Sequence, residues 1–556
     1  MEEYNVNEST FRGNPNTNVI AYVSSSSTSN TQDGSIESPF KTISSALNAN
    51  KKIVFLKCGD VFYEKDLIID GVILKSYSSG QRPCICGFSK YTARSFVQDS
   101  INPNIWTLNL NTATFSGITN IGVNKDLGFI YDPISDKIIF GHRVSFLEES
   151  QYNSYYASLN PTEKVTREIQ ATYLHEDGDF FVSKNGILYV YFTPVNELQY
   201  YQWYGGIWQR VYFTPNNVRI AFNSLEQLKA YNPGSNAGAW YICSAPVTIT
   251  PNSYQELDFS FSSLGLRTTS NPSVVEGIKL KGFGRHAITD STEGMVGFVA
   301  RDLEIDLIGG STGSAPHDND NVTIPVPIVR LGNGIEAYIT FDRICCDILV
   351  EKCRISRVVD SALTIQGSFN NSTDISKRFE NFGLYPYAAK NIRFEHNTIT
   401  HCRQAFEAFC TNTDYSSGTA VTSKPPYNNC CYRLNKSSFI GDNGFNCHER
   451  RDTHILSGAN GMIIERNDFI GGDYIYVRDC IYNVFLFNRH FIEKGAYMCR
   501  YMDDNNTYIY QSIQWPDNGD ASTIAERIKL FQSATGDTTV EFIEVDSTQV
   551  KLLSEI

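Results

Sequence analysis

Residues 348–355 read ILVEKCRI, and four later segments repeat their pattern: IRFEHNTI at 392–399, YRLNKSSF at 432–439, MIIERNDF at 462–469 and VFLFNRHF at 484–491. The five segments align without gaps. Each has two apolar residues two positions apart, then a bend, and then an apolar or other residue of a further strand. Side chains two apart in a strand share one face, so each segment has one buried face. Repetition of a short strand unit in one register predicts that residues 345–500 form stacked coils of a parallel β-helix.

The interval between equivalent residues shortens along the chain, and the last interval approximates a bare coil. The additional residues fall at 366–390, 410–429 and 449–459, which the alignment places after the second strand of each coil. Loops that leave a solenoid on one side build a wall there, and that side is commonly the binding face. The sequence therefore predicts a ligand-binding face beside these loops.

The composition is that of a folded protein rich in strands and turns. Hydrophobic residues make up 41% and charged residues 19%, with 32 Tyr, 34 Phe and 39 Gly. Aromatic rings of this kind offer surfaces on which sugars stack. The net charge of −13 argues against a nucleic-acid partner, because Lys and Arg dominate phosphate binding. No uninterrupted apolar run reaches transmembrane length, so membrane insertion is not expected.

Fourteen cysteines are present, and most of them lie between Cys345 and Cys499. Several recur at similar coil positions, so we interpret them as reduced interior thiols that behave as small apolar residues. The sequence contains no pair of CxxC motifs for zinc. The run HDNDN at 317–321 has calcium-type side chains but lacks the spacing of a calcium loop, so calcium is unsupported. Neither a metal site nor a cofactor is therefore predicted.

The amino-terminal part contains a short helix followed by short strands. Residues 33–47, DGSIESPFKTISSAL, read as a turn and a helix with Phe40, Ile43 and Leu47 on one face. IVFLKCGDVF at 53–62 and PCICG at 83–87 continue as β-runs separated by Gly and Asp. Such a helix is expected to cover the open end of a sheet stack.

A DGS…SPFKTI…A entry followed by IVFLKCGDVF and a P-x-I-x-G ending resembles the opening of pectate-lyase-like β-helix proteins. That group includes polysaccharide lyases, polysaccharide hydrolases and bacteriophage tailspikes. The resemblance covers about residues 20–90 and 275–505. It implies a right-handed parallel β-helix that binds a glycan, and it identifies fold better than chemistry.

The predicted fold class is all-β: a right-handed parallel β-helix with an inserted β-rich subdomain and a C-terminal capping region. We divide the chain into 1–99 (capping helix and first coils), 100–270 (insert), 271–505 (main β-helix) and 506–556 (cap or oligomerisation region). The aromatic cluster at 200–208 either fills the core of the insert or forms a platform for sugars. In the last region we expect a helix over 522–531 and strands over 539–545 and 550–553.

The second strand of each coil carries the densest polar pattern. With Phe406, Phe445, Ile475 and Tyr497 inward, the alignment gives the outward columns Glu407, Asn446, Tyr476, Met498 and Phe409, His448, Arg478, Arg500. Glu449 and Asp479 follow at strand ends. Glu449 lies within the polar run CHERRDTH at 447–454, and Asp479 lies after it. The candidate catalytic residues are Glu449, Asp479, Glu407 and His448, and the candidate substrate-binding residues are Arg478, Arg500, Tyr476 and Arg450. An earlier coil contributes Arg285, His286 and Asp290 as a lower-ranked extension.

Strand spacing separates the mechanisms that this face could perform. Neighbouring strands lie about 4.8 Å apart. Glu449 and Asp479 in adjacent coils suit the roughly 5 Å of a retaining glycosidase, whereas Glu407 with Asp479 suits the roughly 6.5–9.5 Å of an inverting one. In a lyase, Arg478 or Arg500 would neutralise a uronate and His448 would remove the α-proton. Glycan binding without cleavage and a solvated salt-bridge ladder are the non-catalytic alternatives.

The predicted function is that of a phage tailspike-type virion protein that binds host cell-surface polysaccharide, with or without cleaving it. A free polysaccharide lyase or glycoside hydrolase, and a non-catalytic glycan-binding β-helix, are the alternatives. The first residues lack a basic segment followed by an apolar one, so no secretory signal is expected. This favours a virion tail component over a protein secreted after export. The resemblance further implies a homotrimer or attachment to a larger assembly.

Overall fold

The computed structural model describes most of the chain. The described residues are 19–122, 125–143, 174, 177–183, 185–204, 207–211, 218–222, 225–231, 240–291, 294–311, 332–339, 343–368, 389–411, 413–414, 419–420, 427–441, 445, 454–457, 461–471, 475–478, 483–502, 510–517 and 520–555.

Three long sheets, named here sheet one, sheet two and sheet three, organise these residues. The chain visits them in a fixed order: Ile344–Glu351 lies in sheet one, Arg354–Val358 in sheet two and Ser361–Ser368 in sheet three. It then returns to sheet one at Ala389–Glu395, which pairs in parallel with Ile344–Glu351. The protein is therefore all-β with long parallel sheets, as the repeats predict.

The strands of sheet one are Ile20–Val23, Ile53–Lys57, Ile73–Tyr77, Val274–Glu276, Gly294–Val296, Val299–Arg301, Ile344–Glu351, Ala389–Glu395, Tyr427–Asn428, Cys430–Arg433, Met462–Glu465 and Val484–Leu486. Those of sheet two are Val61–Phe62, Cys84–Cys86, Lys279–Lys281, Glu304–Ile308, Arg354–Val358, Thr398–Thr400, Lys436–Ser438, Asp468–Ile470, Arg489–Ile492 and Glu541–Glu544. Those of sheet three are Leu67–Ile69, Leu266–Thr268, Ile288–Asp290, Ile335–Ile339, Ser361–Ser368, Gln404–Thr411, His454–Ser457, Ile475–Arg478, Tyr497–Met502 and Tyr510–Gln514.

The core of the coils consists of inward side chains that form columns, with one residue from each successive strand. In sheet two the inward column runs through Ile85, Leu280, Ile305, Ile355 and Ile399, all of which are fully buried. Interior cysteines continue this core: Cys345, Cys353, Cys402 and Cys430 are buried and free. The interpretation of the coil cysteines as reduced interior thiols is confirmed for these residues.

Buried asparagines connect consecutive coils at the corner between sheets one and two. Asn397, Asn435, Asn467 and Asn488 follow one another, each almost fully buried. Each Oδ1 accepts a backbone N–H of the preceding coil at 2.9–3.1 Å, and each Nδ2 donates to a backbone carbonyl of that coil at 2.9–3.0 Å. The Nδ2 of Asn488 also donates to Asp537 Oδ2 at 3.1 Å, where the asparagine ladder ends. The ladder fixes the register of the coils, because a shifted coil would leave buried amides unpaired.

The ladder corrects the alignment of the later coils. Phe394 pairs with Tyr432 rather than with Leu434, and Ile464 pairs with Phe485 rather than with Leu486. Leu434 is 38% exposed, so apolar residues occupy the outer face as well as the inner one. Apolar alternation alone therefore does not fix the register.

A β-rich insert interrupts the first coils. Leu67–Ile69 pairs directly with Leu266–Thr268, and Cys84–Cys86 pairs with Lys279–Lys281, so the coils close across the insert. Its strands are Ser89–Tyr91, Val97–Gln98, Ile105–Asn109, Ser116–Gly117, Leu127–Asp132, Lys137–Phe140, His142–Arg143, Asp179–Val182, Ile187–Tyr191, Val195–Tyr204, Ile207–Val211, Val218–Phe222, Trp240–Ile249 and Leu257–Phe261, with helix Leu225–Ala230 and the 3₁₀ turn Pro251–Ser253. A two-stranded sheet, Thr413–Asp414 with Thr419–Ala420, lies elsewhere in the chain. The insert has its own core around Phe140, Phe180 and Phe259.

Helices lie near both ends of the described coils. The predicted amino-terminal helix is present as Ile43–Asn48, and the Thr42 side chain accepts the Ser45 N–H as a cap. At the other end, helix Ala521–Thr535 places Phe531 against the rings of His490 and Phe542. The strand predicted over 550–553 is wrong, because these residues lie in helix Ser547–Glu555. Val550 and Leu553 are three apart, a spacing that fits a helix face equally well.

Replacing one rung of the ladder is expected to destabilise the protein strongly. Asn467→Ala leaves the buried N–H of Asn435 and the buried carbonyl of Tyr432 without partners, so the free energy of unfolding should fall by about 2–4 kcal/mol in urea titrations. Asn271→Ala is the control, since the side chain of exposed Asn271 donates to Asp70 and the loss of this bond should cost under about 1 kcal/mol. Equal losses in both variants would contradict a register role for the ladder.

A buried histidine predicts how acid acts on the core. His490 is 2% exposed between the rings of Phe469 and Phe542, and burial lowers its pKa to about 3. The unfolded chain binds this proton below about pH 6.5, so stability contributed by the neutral ring is lost as pH falls from there towards 3. Between pH 7 and pH 4 the wild type should therefore lose roughly 3 kcal/mol more than His490→Leu, measured by urea unfolding. A parallel decline in both proteins would refute this.

Candidate functional site

The outward face of sheet three carries a row of polar residues in register. Glu336 pairs with Thr364, and Thr364 pairs with Glu407. Their neighbours Ile335, Leu363 and Phe406 point the other way, into the core. Glu336 and Glu407 thus stand two strands apart on one face, a backbone separation of about 9.6 Å. We call Glu336, Thr364 and Glu407 the carboxyl row.

Glu336 is surrounded by hydrogen-bond donors. It is 4% exposed, and its carboxylate accepts from Thr289 Oγ1 at 3.2 Å and from Gln366 Nε2. His286 Nε2 lies 3.1 Å from Glu336 Oε2. The His286 Nδ1 accepts the N–H of Asn333 at 3.1 Å, so the ring carries its proton on Nε2 and donates it to Glu336. Burial lowers the pKa of His286, which keeps this donor neutral.

Glu407 occupies a different environment. Burial, followed by the negative charge of Asp360, raises its pKa to about 8, so the carboxyl holds a proton at neutral pH. Ser361 Oγ lies 2.5 Å from Gln404 Oε1 and 3.1 Å from Glu407 Oε2. A hydroxyl has one hydrogen, and a protonated Glu407 that donates to Ser361 satisfies both contacts.

Two further features of this face are a buried aspartate beside the row and the buried hydroxyl of the row's own threonine. Asp290 is 4% exposed and pairs with Arg343 at 3.2 Å, while burial raises its pKa to about 7. The hydroxyl of Thr364, between the two glutamates, is buried without a hydrogen-bond partner. A proton donor, a carboxylate acceptor and an unsatisfied hydroxyl therefore share one strip of the sheet.

The comparisons with known proteins give weak structural likenesses only. No protein-family model matches the chain, and no curated protein matches it in sequence. A complex of XylC with xylose is similar with a TM-score of 0.38 and 11% identity, over 87% of this chain and 68% of that one. A GH136 lacto-N-biosidase from Eubacterium ramulus is similar with a TM-score of 0.33 and 9% identity, over 95% of this chain and 68% of that one. A third structure, described as a glycoside hydrolase, has a TM-score of 0.30 and 9% identity over 96% and 98%. Likenesses this weak do not identify an activity.

The predicted site residues fare differently from one another. Glu407 lies on the outward face of sheet three, as expected. Glu449, Asp479, His448 and Arg450 lie outside the described residues, as does the run at 317–321. The backbone of Tyr476, Arg478 and Arg500 lies in strands of sheet three. Their roles in binding stay predictions.

The predicted columns are wrong in two coils. Ile455 rather than Asn446 pairs with Glu407, because extra residues at 442–453 precede the strand His454–Ser457. Arg500 rather than Met498 pairs with Tyr476, so Arg500 and Arg478 do not share a column. The observed column continues from Glu407 through Ile455 and Tyr476 to Arg500.

Glu336 is absent from the predicted site, whereas His286 and Asp290 appear there as a lower-ranked extension. The signal for Glu336 is the alternation Ile335, Ala337, Ile339, which makes Glu336 an outward residue of a strand. Among the described residues, no group of three His, Cys, Asp or Glu side chains gathers as metal ligands do. No described helix is both long and apolar enough to span a bilayer.

Proposed function

We propose that the protein is a glycoside hydrolase that acts on a polysaccharide along the outward face of sheet three. Glu407 serves as the general acid, and Glu336 serves as the base that activates water. The observation that supports this is a pair of carboxyl groups two strands apart on one face, in opposite environments. One holds a proton at neutral pH, and the other accepts hydrogen bonds from three side chains.

The spacing of the pair favours an inverting reaction. Backbone positions about 9.6 Å apart leave room for a water molecule between substrate and base, as the roughly 6.5–9.5 Å carboxyl separation of inverting enzymes does. Glu407 would protonate the glycosidic oxygen while Glu336 removes a proton from water on the opposite side of the sugar. His286 holds the carboxylate of Glu336 in place by donating from Nε2.

The finer assignments belong to the same proposal. We expect the β-helix to be right-handed, because parallel strand connections are right-handed almost without exception. The tailspike-type role adds a homotrimer and attachment to a phage tail, and it rests on the resemblance at 20–90 and 275–505. Size-exclusion chromatography with light scattering tests it, and a clean monomer would count heavily against a tailspike.

The activity should depend on the protonated form of Glu407. Because burial and Asp360 raise its pKa to about 8, kcat/KM should fall as pH rises through that value. Asp360→Asn removes the neighbouring negative charge and should move this limb to lower pH. Incubation with a panel of polysaccharides, followed by assay of reducing ends and by proton NMR of the first anomer released, measures both the rate and the inversion.

Substitutions separate the two roles. Glu407→Gln should lower kcat by about 100-fold or more on polysaccharide and much less on an aryl glycoside whose leaving group needs no proton. Glu336→Gln should abolish turnover of both substrates. Glu276→Gln, on sheet one beside Lys75, is the matched control and should act like wild type. Unsaturated product ends would indicate a lyase instead, and full activity of Glu336→Gln and Glu407→Gln would rule out this site.

A further inference from the structure

A pair of cysteines lies on the outward face of sheet two, away from the carboxyl row. Cys84 and Cys86 flank Ile85, which points into the core, so both thiols project from the opposite face. Cys84 is partly exposed, Cys86 is buried, and both are free. With a rise of about 3.3 Å per residue, their Cα atoms stand about 6.6 Å apart, within the range that a disulfide spans.

Two lysines lie directly beside this pair. In the adjacent parallel strand, Lys279 is opposite Cys84 and Lys281 is opposite Cys86. The Nζ of Lys281 lies over the Tyr131 ring, 4.6 Å from its centroid. A hydrogen bond with Cys86, followed by the charges of Lys279 and Lys281, lowers the pKa of the Cys84 thiol. The same hydrogen bond together with burial raises the pKa of Cys86. One thiol is thus prepared as a nucleophile while the other keeps its proton.

A carboxyl oxygen without a hydrogen-bond partner belongs to a group within electrostatic reach of the buried thiol. Asp258, in strand Leu257–Phe261 of the insert, is 5% exposed, and its Oδ1 has no hydrogen-bond partner. Its charge acts on Cys86. The groups that face it are Lys90, Glu256, Lys281 and Asp132, and Tyr63 also senses its charge. Burial raises the pKa of Asp258 to about 7, so it can accept a proton near neutral pH.

We infer that Cys84 and Cys86 form a reactive dithiol site that peroxide converts to a disulfide, with Cys84 as the attacking thiol and Asp258 as the proton acceptor for Cys86. Cys84 first loses its proton to solvent. Its thiolate attacks one oxygen of hydrogen peroxide, the O–O bond breaks to give the sulfenic acid of Cys84, and the hydroxide that leaves takes a proton back from solvent to become water. Cys86 gives its proton to Asp258 and attacks the sulfenic acid of Cys84. The hydroxide expelled takes that proton and leaves as a second water. Two thiols and one peroxide thereby become one disulfide and two waters.

The interior cysteines provide an internal comparison. Burial raises the pKa of Cys353 and Cys402 to about 12, and no lysine is among the charged groups that act on either thiol. Buried thiols in apolar surroundings are inert. Oxidation should therefore select Cys84 and Cys86 over these residues.

Mass spectrometry of the full-length protein tests the inference. After treatment with equimolar hydrogen peroxide, denaturation, alkylation and trypsin digestion, residues 76–90 form one peptide that contains both thiols and no other cysteine. This peptide should lose two hydrogens and escape alkylation, while residues 394–403, the peptide that contains Cys402, are alkylated. In Cys86→Ser the reaction should stop at a sulfenic acid that dimedone traps. An alkylated 76–90 peptide in the wild type, with oxidation no faster than that of Cys402, would overturn the site.

The pH profile isolates the role of Asp258. In Asp258→Asn, closure of the disulfide should slow by about tenfold at pH 7 and lose its rise through neutral pH, while dimedone trapping in the Cys86→Ser background keeps its rate. Asp302→Asn, a change to an exposed carboxyl, is the control and should leave both rates unchanged. Circular dichroism verifies that each variant is folded. An unchanged pH profile in Asp258→Asn would overturn the assignment of the proton acceptor.

Discussion

Register between coils is the constraint on which the rest of the molecule depends. Parallel strands can slide by two residues and still present the same face, and a slide of one exchanges the two faces. Asn397, Asn435, Asn467 and Asn488 prevent both shifts, because a primary amide both donates and accepts and each one is paired to its neighbours. The position of Thr364 opposite Glu407 follows from that register, because Asn397 joins the two coils that hold them.

Titratable groups are buried outside the core of the coils as well as within it. On sheet three, burial moves the pKa values of Asp290 and Glu407 to about 7 and about 8. In the insert, the pKa of Asp258 reaches about 7 near the thiol pair of sheet two. Each of these carboxyls therefore changes its charge near neutral pH. Such groups cluster where proteins transfer protons. Other charged groups form structural ion pairs, as Arg433 and Glu395 do.

The sequence predicts the architecture better than it predicts the site. Apolar residues two apart reveal the strands because inward side chains such as Ile355 and Ile399 must be apolar. The register is harder to read, because Leu434 and Phe487 are apolar and yet exposed at 38% and 52%. Counting three residues back from each ladder asparagine gives Phe394, Tyr432, Ile464 and Phe485, which is the observed alignment. Glu407 could be predicted as an outward residue. Glu336 could not be ranked, because its burial and its contact with His286 come from strands distant in the sequence.

The end of the asparagine ladder also limits how long such a stack can grow. Asp537 accepts from Asn488, but a carboxylate has no hydrogen to donate to the amide oxygen of another rung. Asp537 therefore ends the ladder. Phe531 covers the last layer of rings. A ladder whose last residue cannot donate to a further amide cannot be extended. An oxygen in place of the amide nitrogen makes this difference.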